Sequence, residues 1–304
     1  MTRRKTKGRA SARPRVACFG EVLWDCLPRG LFLGGAPING AYHLSRQGLD
    51  VLPVTAVGAD FLGDEARRRI ESWGVDARFV QRRSDRPTGT VRAAIDAKGV
   101  ATYRIARDVA WDRIEAPHTL RRLAPSPDAI VFGTLALREA FNRRTLRALL
   151  DAWPQALRVV DLNFRPPFDS PAVVQTALEA GQLVKLNDEE IGRWLSMPVR
   201  DERTIERAAR KLAGKQKLER ICVTAGARGA GLLWEGQWHW EPARPVDVRD
   251  TVGAGDAFLA GLLGATLNGA KPPEALRQAC RLGEFVAGRD GATPEYLAEE
   301  VLRE

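Results

Sequence analysis

The segment Asp250-Thr-Val-Gly253-Ala254-Gly255-Asp256-Ala-Phe-Leu-Ala-Gly261 is the most informative stretch of this 304-residue chain. Its two glycines and its small alanine allow the main chain to approach a ligand closely, and an apolar helical pattern begins at Ala257. The peptide N–H groups of residues 253 to 255 would then lie at a helix N-terminus, where the helix dipole favours anions. Asp256 falls in the first turn of that helix, either as a catalytic carboxylate or as a plain cap.

A second glycine-containing segment, Gly34-Gly35-Ala-Pro37-Ile-Asn39-Gly-Ala, leads into another helical pattern. The glycines allow close approach, and the amide of Asn39 both donates and accepts hydrogen bonds, as sugar hydroxyls require. The alternative for Asn39 is the cap of the helix that follows. Further upstream, Gly20-Glu21-Val-Leu-Trp-Asp25 follows the first apolar run, which places Asp25 near the carboxyl edge of a predicted sheet.

Short apolar runs alternate with helical segments along the body of the chain. The β-rich runs are Val16–Gly20, Val51–Gly58, Ala129–Gly133, Arg158–Asn163, Leu183–Asn187 and Ile221–Gly226, and the helical segments are Ile38–Gln47, Gly63–Trp73, Arg138–Trp153, Ala172–Ala180 and Asp201–Leu212. This alternation predicts βαβ units and a parallel sheet covered by helices on both faces.

Residues 88–107 break the alternation, because two strand patterns follow each other with only Lys98-Gly99 at the turn. Such an antiparallel hairpin needs a surface to pack on, and the carboxyl ends of the parallel strands, where ligands bind, are the natural place. No repeat or long linker divides the body. The sequence therefore predicts one domain over residues 15–304, with a lid around 88–107 and 29–35.

The basicity of the chain is concentrated at its N-terminus. Seven of the nine net positive charges come from residues 1–15, so the body is nearly neutral. We expect residues 1–14 to form a disordered, solvated tail. A nucleic-acid arm is the alternative, but the tail has no aromatic residue to stack on bases.

Several other classes of protein are excluded by the sequence. There is no G-x-x-x-x-G-K-[ST] phosphate loop and no G-x-S-x-G, and the three histidines are dispersed. Four scattered cysteines without a C-x-x-C pair argue against a zinc site or a disulfide framework, and they fit a reducing, cytoplasmic location. No run of eighteen apolar residues indicates a membrane span.

Three further segments lie between the two glycine-containing ones. They are Asp161-Leu-Asn163-Phe-Arg165-Pro166, Asn187-Asp-Glu-Glu190 and Thr224-Ala-Gly226-Ala-Arg-Gly229. Together the five segments resemble the signatures of the ribokinase-like (PfkB) carbohydrate kinases, in the family's order over residues 15–304. One such motif would be weak evidence, but five in register are specific.

The resemblance implies a ribokinase-like three-layer α/β/α fold, with a mostly parallel central sheet and a small β-hairpin lid. It also implies ATP-dependent phosphorylation of a primary hydroxyl of a small sugar. Gly-Gly-Ala-Pro at 34–37, Val-Ala-Trp-Asp at 109–112 and Arg-Asp-Gly-Ala at 289–292 are most similar to fructokinases, so fructose is expected to give fructose 6-phosphate. A 2-keto-3-deoxygluconate kinase, a nucleoside kinase and a non-catalytic sugar-binding regulator stay open.

The resemblance also implies roles for individual residues. The catalytic set is Asp256 as the base, with the N–H groups of Gly253, Ala254 and Gly255 and the side chain of Arg165 at the moving phosphoryl group. The sugar set is Asp25, Gly34, Gly35 and Asn39, to which the lid adds Tyr103 and Arg104. The ATP set is Asn187, Thr224, Gly226 and Gly229.

The partners implied by the resemblance are a sugar and ATP with Mg²⁺. Glu190 would organise Mg²⁺ through water, and Asp250 with the carbonyl of Val252 would hold a monovalent cation such as K⁺. Many relatives have threonine in place of Val252, but a carbonyl ligand does not depend on its side chain. Lid strands of such proteins can pair across a two-fold axis, which would give a homodimer. No membrane or nucleic-acid partner is expected.

Overall fold

The computed structural model describes residues 13–27, 30–95 and 101–302, without the side chains of 93–95 and 101–103. The predicted tail over residues 1–14 therefore lies almost wholly outside the described residues. Within them, no helix is both long enough and apolar enough to cross a membrane.

Within the described residues, thirteen strands form two sheets. The strands are β1 (Arg15–Phe19), β2 (Leu23–Leu27), β3 (Gly30–Gly34), β4 (Asp50–Gly58), β5 (Val80–Arg83), β6 (Gly89–Ile95), β7 (Ala101–Ile105), β8 (Ala129–Gly133), β9 (Leu157–Asp161), β10 (Leu183–Asn187), β11 (Arg220–Thr224), β12 (Ala230–Trp234) and β13 (Gln237–Glu241). The nine-stranded main sheet has the order β13-β12-β11-β10-β9-β8-β1-β4-β5. Only β12 runs antiparallel to its two neighbours in this sheet, so β13 again has the direction of β11. The predicted mostly parallel sheet is confirmed.

Helices pack on both faces of the main sheet. They are α1 (Ala36–Arg46), α2 (Phe61–Ser72), α3 (His118–Arg121), α4 (Ala140–Ala152), α5 (Pro171–Ala180), α6 (Asp188–Leu195), α7 (Glu202–Gln216), α8 (Ala254–Leu267), α9 (Pro272–Ala287) and α10 (Ala298–Leu302). One buried core joins the sheet to α4–α7, and a second joins its other face to α1, α2, α8 and α9. The fold is therefore the predicted three-layer arrangement.

The strand sequences explain this layering. In β1, Val16 and Cys18 pack into one core, while Ala17 and Phe19 pack into the other. Because successive side chains of a strand point to opposite faces, a strand buried on both sides must be apolar throughout, as β1 is. The carboxyl ends of the parallel strands then meet at one edge of the sheet, and the polar motif segments follow directly after them.

The predicted hairpin is present as β6 and β7, but it belongs to a larger unit. The small sheet has four strands in the order β3-β2-β6-β7, with β2 and β6 running parallel. The sequence pattern does not predict β2 as a strand, because residues 20–25 are identified there only as the segment that follows the first apolar run. The small sheet is thus built from two hairpins that are distant in sequence.

A buried ion pair anchors the small sheet to the body. Arg138 donates from Nε and Nη2 to the two carboxylate oxygens of Asp112, both at 2.8 Å, and Nη2 also donates to the carbonyl of Ala106 at 2.7 Å. Its guanidinium lies 4.0 Å from the ring centroid of Trp111. Ala106 follows β7 directly, so this arginine fixes the end of the small sheet.

The substitution Asp112→Ala should lower the free energy of unfolding by about 3–5 kcal/mol, because it leaves the Arg138 charge buried without its partner. The two side chains are only 3% and 5% exposed, so water cannot replace the lost carboxylate. Urea denaturation of the variant and the wild type measures this difference.

Glu206→Ala is the matched control, since it breaks the solvent-exposed pair with Arg210 on α7. That change should cost about 0.5 kcal/mol or less. Equal losses in the two variants would contradict the anchoring role of the Arg138–Asp112 pair.

Candidate active site

A cavity of about 660 Å³ lies where the carboxyl ends of the main-sheet strands face the small sheet. Its walls include residues that follow β1, β8, β9, β10 and β11, together with the N-terminal parts of α1 and α8. Apolar side chains of the small sheet, among them Phe32, Leu33 and Val91, line it from the other side. A pocket at this edge of a parallel sheet is where α/β proteins bind ligands.

Gly35 sets the start of α1. Its backbone has φ +111°, a conformation that favours glycine, and a Cβ at this position would clash with the carbonyl oxygen of Glu21. The helix begins at Ala36 with Gly35 as its N-cap, so Asn39 lies inside the first turns and is not the cap. The capping alternative for Asn39 is therefore wrong.

The amide of Asn39 reaches across the cavity to α8. Its Nδ2 donates to Oδ2 of Asp256 at 2.8 Å, which joins the two glycine-containing segments. A carboxylate accepts only, so this contact fixes the orientation of the amide and turns Oδ1 of Asn39 away from Asp256. That Oδ1 is shielded from solvent and has no hydrogen-bond partner among the described residues.

Asp256 lies in the first turn of α8, whose N-cap is Gly253 with φ +78°. No side chain caps this helix, so the capping alternative for Asp256 is also wrong. Removal from water raises the pKa of its carboxyl group to about 6, the negative charge of Asp161 adds to the rise, and the Asn39 hydrogen bond opposes it. Asp256 is thus a carboxylate that titrates near neutral pH at the end of an anion-favouring helix.

A second, fully buried ion pair lies beneath the same turn. Lys185 on β10 donates to both carboxylate oxygens of Asp161, at 3.1 and 2.9 Å. Burial would lower the pKa of Lys185, but the attraction of Asp161 outweighs it and raises that pKa, so the ammonium stays charged. A Cβ on Gly255 would lie only 3.0 Å from Nζ of Lys185, which places this cation directly under the anion-favouring turn.

The N-x-x-E segment forms a capping box at the start of α6. Glu190 accepts the N–H of Asn187 at 2.8 Å through Oε2 and the N–H of Phe164 at 2.7 Å through Oε1. Glu190 is buried, and burial together with the nearby charge of Asp161 raises the pKa of its carboxyl group. Its carboxylate therefore does not face solvent. Thr224 lies opposite Asn187 in the register of β10 and β11.

Two more carboxylates, those of Glu21 and Asp25, line the cavity. Burial raises the pKa of Asp25 to about 6, with the charge of Arg165 opposing the rise. Burial raises the pKa of Glu21 to about 7, and the charge of Asp256 contributes in the same direction. Arg165 follows β9 and lines the same cavity.

Residues 292–296 contact the last turn of α1 and the start of α8. His43 on α1 lies with Nε2 2.9 Å from the carbonyl oxygen of Ala292 and with Nδ1 3.0 Å from the hydroxyl of Tyr296. Burial lowers the pKa of His43 to about 4, so its ring is neutral. Ala292 in turn fills the space where a Cβ of Gly253 would clash.

The structure brings most of the predicted site residues together. Those that line the cavity are Asp25, Gly35, Asn39, Arg165, Asn187, Glu190, Thr224, Asp250, Val252, Gly253, Gly255 and Asp256. Gly34 and Ala254 adjoin the lining. Gly226 and Gly229 lie in the loop after β11, outside it. Arg104 is exposed on β7 and does not border the cavity, and the side chain of Tyr103 lies outside the described residues.

Sequence reasoning missed Glu21, Asp161 and Lys185 as members of the site. A signal existed for Lys185, because a lysine inside the apolar strand Leu-Val-Lys-Leu-Asn needs a buried carboxylate partner. Glu21 and Asp161 lie in the segments 20–25 and 161–166, but neither segment assigns them a role.

The cavity can hold a phosphorylated nucleotide better than a free metal ion. Among residues 13–27, 30–95 and 101–302, no three His, Cys, Asp or Glu side chains are grouped to hold a metal. The Glu190 carboxylate already accepts two backbone N–H groups. The donors that face the cavity, namely the first turn of α8, Lys185 and Arg165, suit phosphate oxygens. Mg²⁺ therefore fits as an ion carried on phosphates and contacted through water.

Comparison with known proteins places these features in a family. The model of the pfkB family carbohydrate kinases matches residues 16–298. The chain is 31% identical over 264 residues to a fructokinase of Rhizobium leguminosarum bv. trifolii, covering 82% of this chain and 78% of that protein. It is 27% identical over 289 residues to a 2-dehydro-3-deoxygluconokinase of Dickeya dadantii, covering 86% of this chain and 91% of that protein.

The fold matches a solved sugar kinase over almost its whole length. The fructokinase of Vibrio cholerae O395, crystallised with fructose, ADP and calcium ion, superposes with a TM-score of 0.80 at 21% identity. The match covers 95% of this chain and 99% of that one, and it shows the shared architecture. The chain therefore belongs to the pfkB family of carbohydrate kinases, and it is a sugar phosphotransferase with the ribokinase-like fold.

Proposed function

We propose that the protein transfers the γ-phosphoryl group of ATP to the primary hydroxyl of fructose and forms fructose 6-phosphate. The observation that carries the proposal is the 2.8 Å contact between Asn39 and Asp256, which brings a two-way hydrogen-bonding amide beside the candidate base. A hydroxyl held by the amide would lie within reach of the carboxylate. The similarity to a fructokinase at 31% identity supports the choice of fructose.

In the proposed step, the sugar hydroxyl oxygen forms a bond to the γ-phosphorus as the bond to the β-phosphate oxygen breaks. The hydroxyl proton goes to Asp256, and ADP leaves. The N–H groups at Gly253, Ala254 and Gly255 and the side chain of Arg165 stabilise the charge on the moving group. Lys185 lies under the same turn and adds a fixed positive charge there.

On the nucleotide side, Asn187, Thr224, Gly226 and Gly229 are proposed to bind ATP. Glu190 and Asn187, which the capping box holds in place, would contact Mg²⁺ through water, and the bound ion would neutralise phosphate charge. The carboxylate of Asp250 accepts the N–H groups of Val252 and Gly291, at 3.0 and 3.4 Å. A monovalent cation is proposed to bind at Asp250 and the carbonyl of Val252, both of which line the cavity.

On the sugar side, Asp25, Gly34, Gly35 and Asn39 are proposed to bind hydroxyls, and Tyr103 and Arg104 on β7 stay candidates for substrate choice. The second candidate substrate is 2-keto-3-deoxygluconate. Arg165, a cation on the cavity wall, would suit its carboxylate, and the relative in Dickeya dadantii supports this alternative.

ADP formation with a panel of acceptors tests the proposed substrate. The panel is fructose, ribose, 2-keto-3-deoxygluconate, adenosine and inosine, each with Mg²⁺ and with K⁺ or Na⁺. Fructose should give the highest kcat/KM. A higher value for the keto acid would replace the proposed substrate, and a protein that forms no ADP with any acceptor would be a binding protein.

The substitution Asp256→Asn should lower kcat by about two to four orders of magnitude, the range typical of a lost general base. The amide keeps the size of the carboxylate, so the fold and ATP binding should persist. Steady-state kinetics with the best acceptor gives kcat, and the melting curve with and without ATP reports folding and nucleotide binding. A variant that keeps more than half of the wild-type kcat would remove Asp256 as the base.

The substitution Asn39→Ala should raise the sugar KM at least several-fold and leave the ATP KM nearly unchanged, because one hydrogen bond to the sugar is lost. It should also shift the acidic limb of the kcat/KM profile to higher pH. The Asn39 amide lowers the pKa of Asp256 from a value raised by burial, and the base works only when it is ionised. Profiles from about pH 5 to 9 measure the shift. An unchanged sugar KM and an unshifted limb would place Asn39 outside the site.

A further inference from the structure

Glu21 is a buried carboxylate that faces the cavity and has no part in the step described above. It follows β1 after Gly20, is 5% exposed, and lines the cavity together with Asp25 and Asn39. Among the described residues, only one of its two carboxylate oxygens has a hydrogen-bond partner. Oε1 accepts the N–H of Ala36 at 3.3 Å, at the beginning of α1.

The other oxygen of Glu21, Oε2, is shielded from solvent and has no hydrogen-bond partner among the described residues. A buried acceptor without a donor is unfavourable, and a carboxylate oxygen is the most unfavourable case. Such an atom on the wall of a binding cavity indicates that the ligand supplies the missing donor.

A second buried acceptor on the same cavity wall also lacks a hydrogen-bond partner among the described residues. Oδ1 of Asn39 is also buried and unpartnered, because Nδ2 is committed to Asp256. The amide oxygen of Asn39 accepts hydrogen bonds and cannot donate them, and the same is true of Oε2 when Glu21 is ionised. A polyol fits this pair, since each of its hydroxyls carries one donor and can still accept from another group.

We propose that Glu21 is a substrate-binding residue, whose Oε2 accepts a hydrogen bond from a sugar hydroxyl other than the one that is phosphorylated. Asn39 Oδ1 accepts a hydrogen bond from a second hydroxyl. This inference rests on the proposed function in one respect only, namely that the cavity is the sugar site. It adds to the sugar contacts a charged acceptor, which forms stronger hydrogen bonds than a neutral amide does.

Glu21→Gln separates this role from a purely structural one. Glutamine keeps an oxygen for the N–H of Ala36, so the start of α1 should be preserved, while the charged acceptor at Oε2 is lost. The sugar KM should rise about tenfold or more, whereas the ATP KM should stay within about twofold. Glu21→Ala, which also removes the contact with Ala36, should lower the melting temperature as well.

Glu284→Gln is the matched control. Glu284 on α9 is partly buried and accepts from the main-chain N–H and the Nε of Arg244, at 2.9 and 2.7 Å, away from the cavity. This variant should keep both KM values. It therefore shows the effect of a glutamate-to-glutamine change that does not involve the sugar.

Mono-deoxy analogues of the best acceptor identify the hydroxyl. For one analogue, loss of the hydroxyl should lower kcat/KM at least fivefold in the wild type and have little further effect in Glu21→Gln, since the contact is already weakened. The same loss in both proteins for every analogue would overturn the proposal. So would a wild-type sugar KM in Glu21→Gln together with a destabilised Glu21→Ala, which would mark a structural role.

The same kinetic measurements distinguish failure of the proposed function from failure of the Glu21 assignment. Failure of the proposed function would appear in the wild type, as a preference for an acceptor other than fructose, and Glu21→Gln would then be compared with the wild type on that acceptor. Failure of the Glu21 assignment appears only as equal sugar constants in the two proteins, whichever acceptor is best.

Discussion

The hydrogen bond from Asn39 to Asp256 is the contact on which the geometry of the cavity depends. It joins α1 and α8, two helices from distant parts of the chain, near their N-termini. It fixes the orientation of the amide, and it lowers the pKa of the Asp256 carboxyl group, which burial raises. Gly35 and Gly253 allow this contact, because each lets its helix start close to another part of the main chain. Gly35 lets α1 start against the main chain of Glu21, and Gly253 lets α8 start against Ala292. A side chain at either position would push one helix away from the other.

The cavity around this contact is lined by several buried carboxylates and by two basic side chains, those of Lys185 and Arg165. Glu21, Asp25 and Asp256 all have raised pKa values, because burial removes water that would stabilise their charge. Lys185 compensates part of this charge from below, paired with Asp161. A carboxyl group with a pKa near 6 or 7 can take up or release a proton close to neutral pH, which is the property that a general base and its neighbours need.

The sequence predicts the main sheet and the position of the site well, because both depend on local patterns. Apolar runs buried on two faces mark β1, β4, β8 and β10, and the motif segments follow them at one edge. The contribution of β2 to the small sheet is harder to foresee, since β2 pairs with β6, which lies far away in the sequence. The partners of Lys185 and Glu21 depend on packing between strands and loops that no local pattern specifies.

The contacts between α1 and residues 292–296 determine when the site can form during synthesis of the chain. Ala292 supports the turn at Gly253 and lines the cavity, and Tyr296 contacts His43, so the site depends on residues that the ribosome adds after every strand of both sheets. The strands of the main sheet can pair as they emerge, but the last turn of α1 and the start of α8 acquire these contacts only when residue 296 has left the exit tunnel. A nascent chain halted before that point would carry most of the fold and would not yet have a complete site.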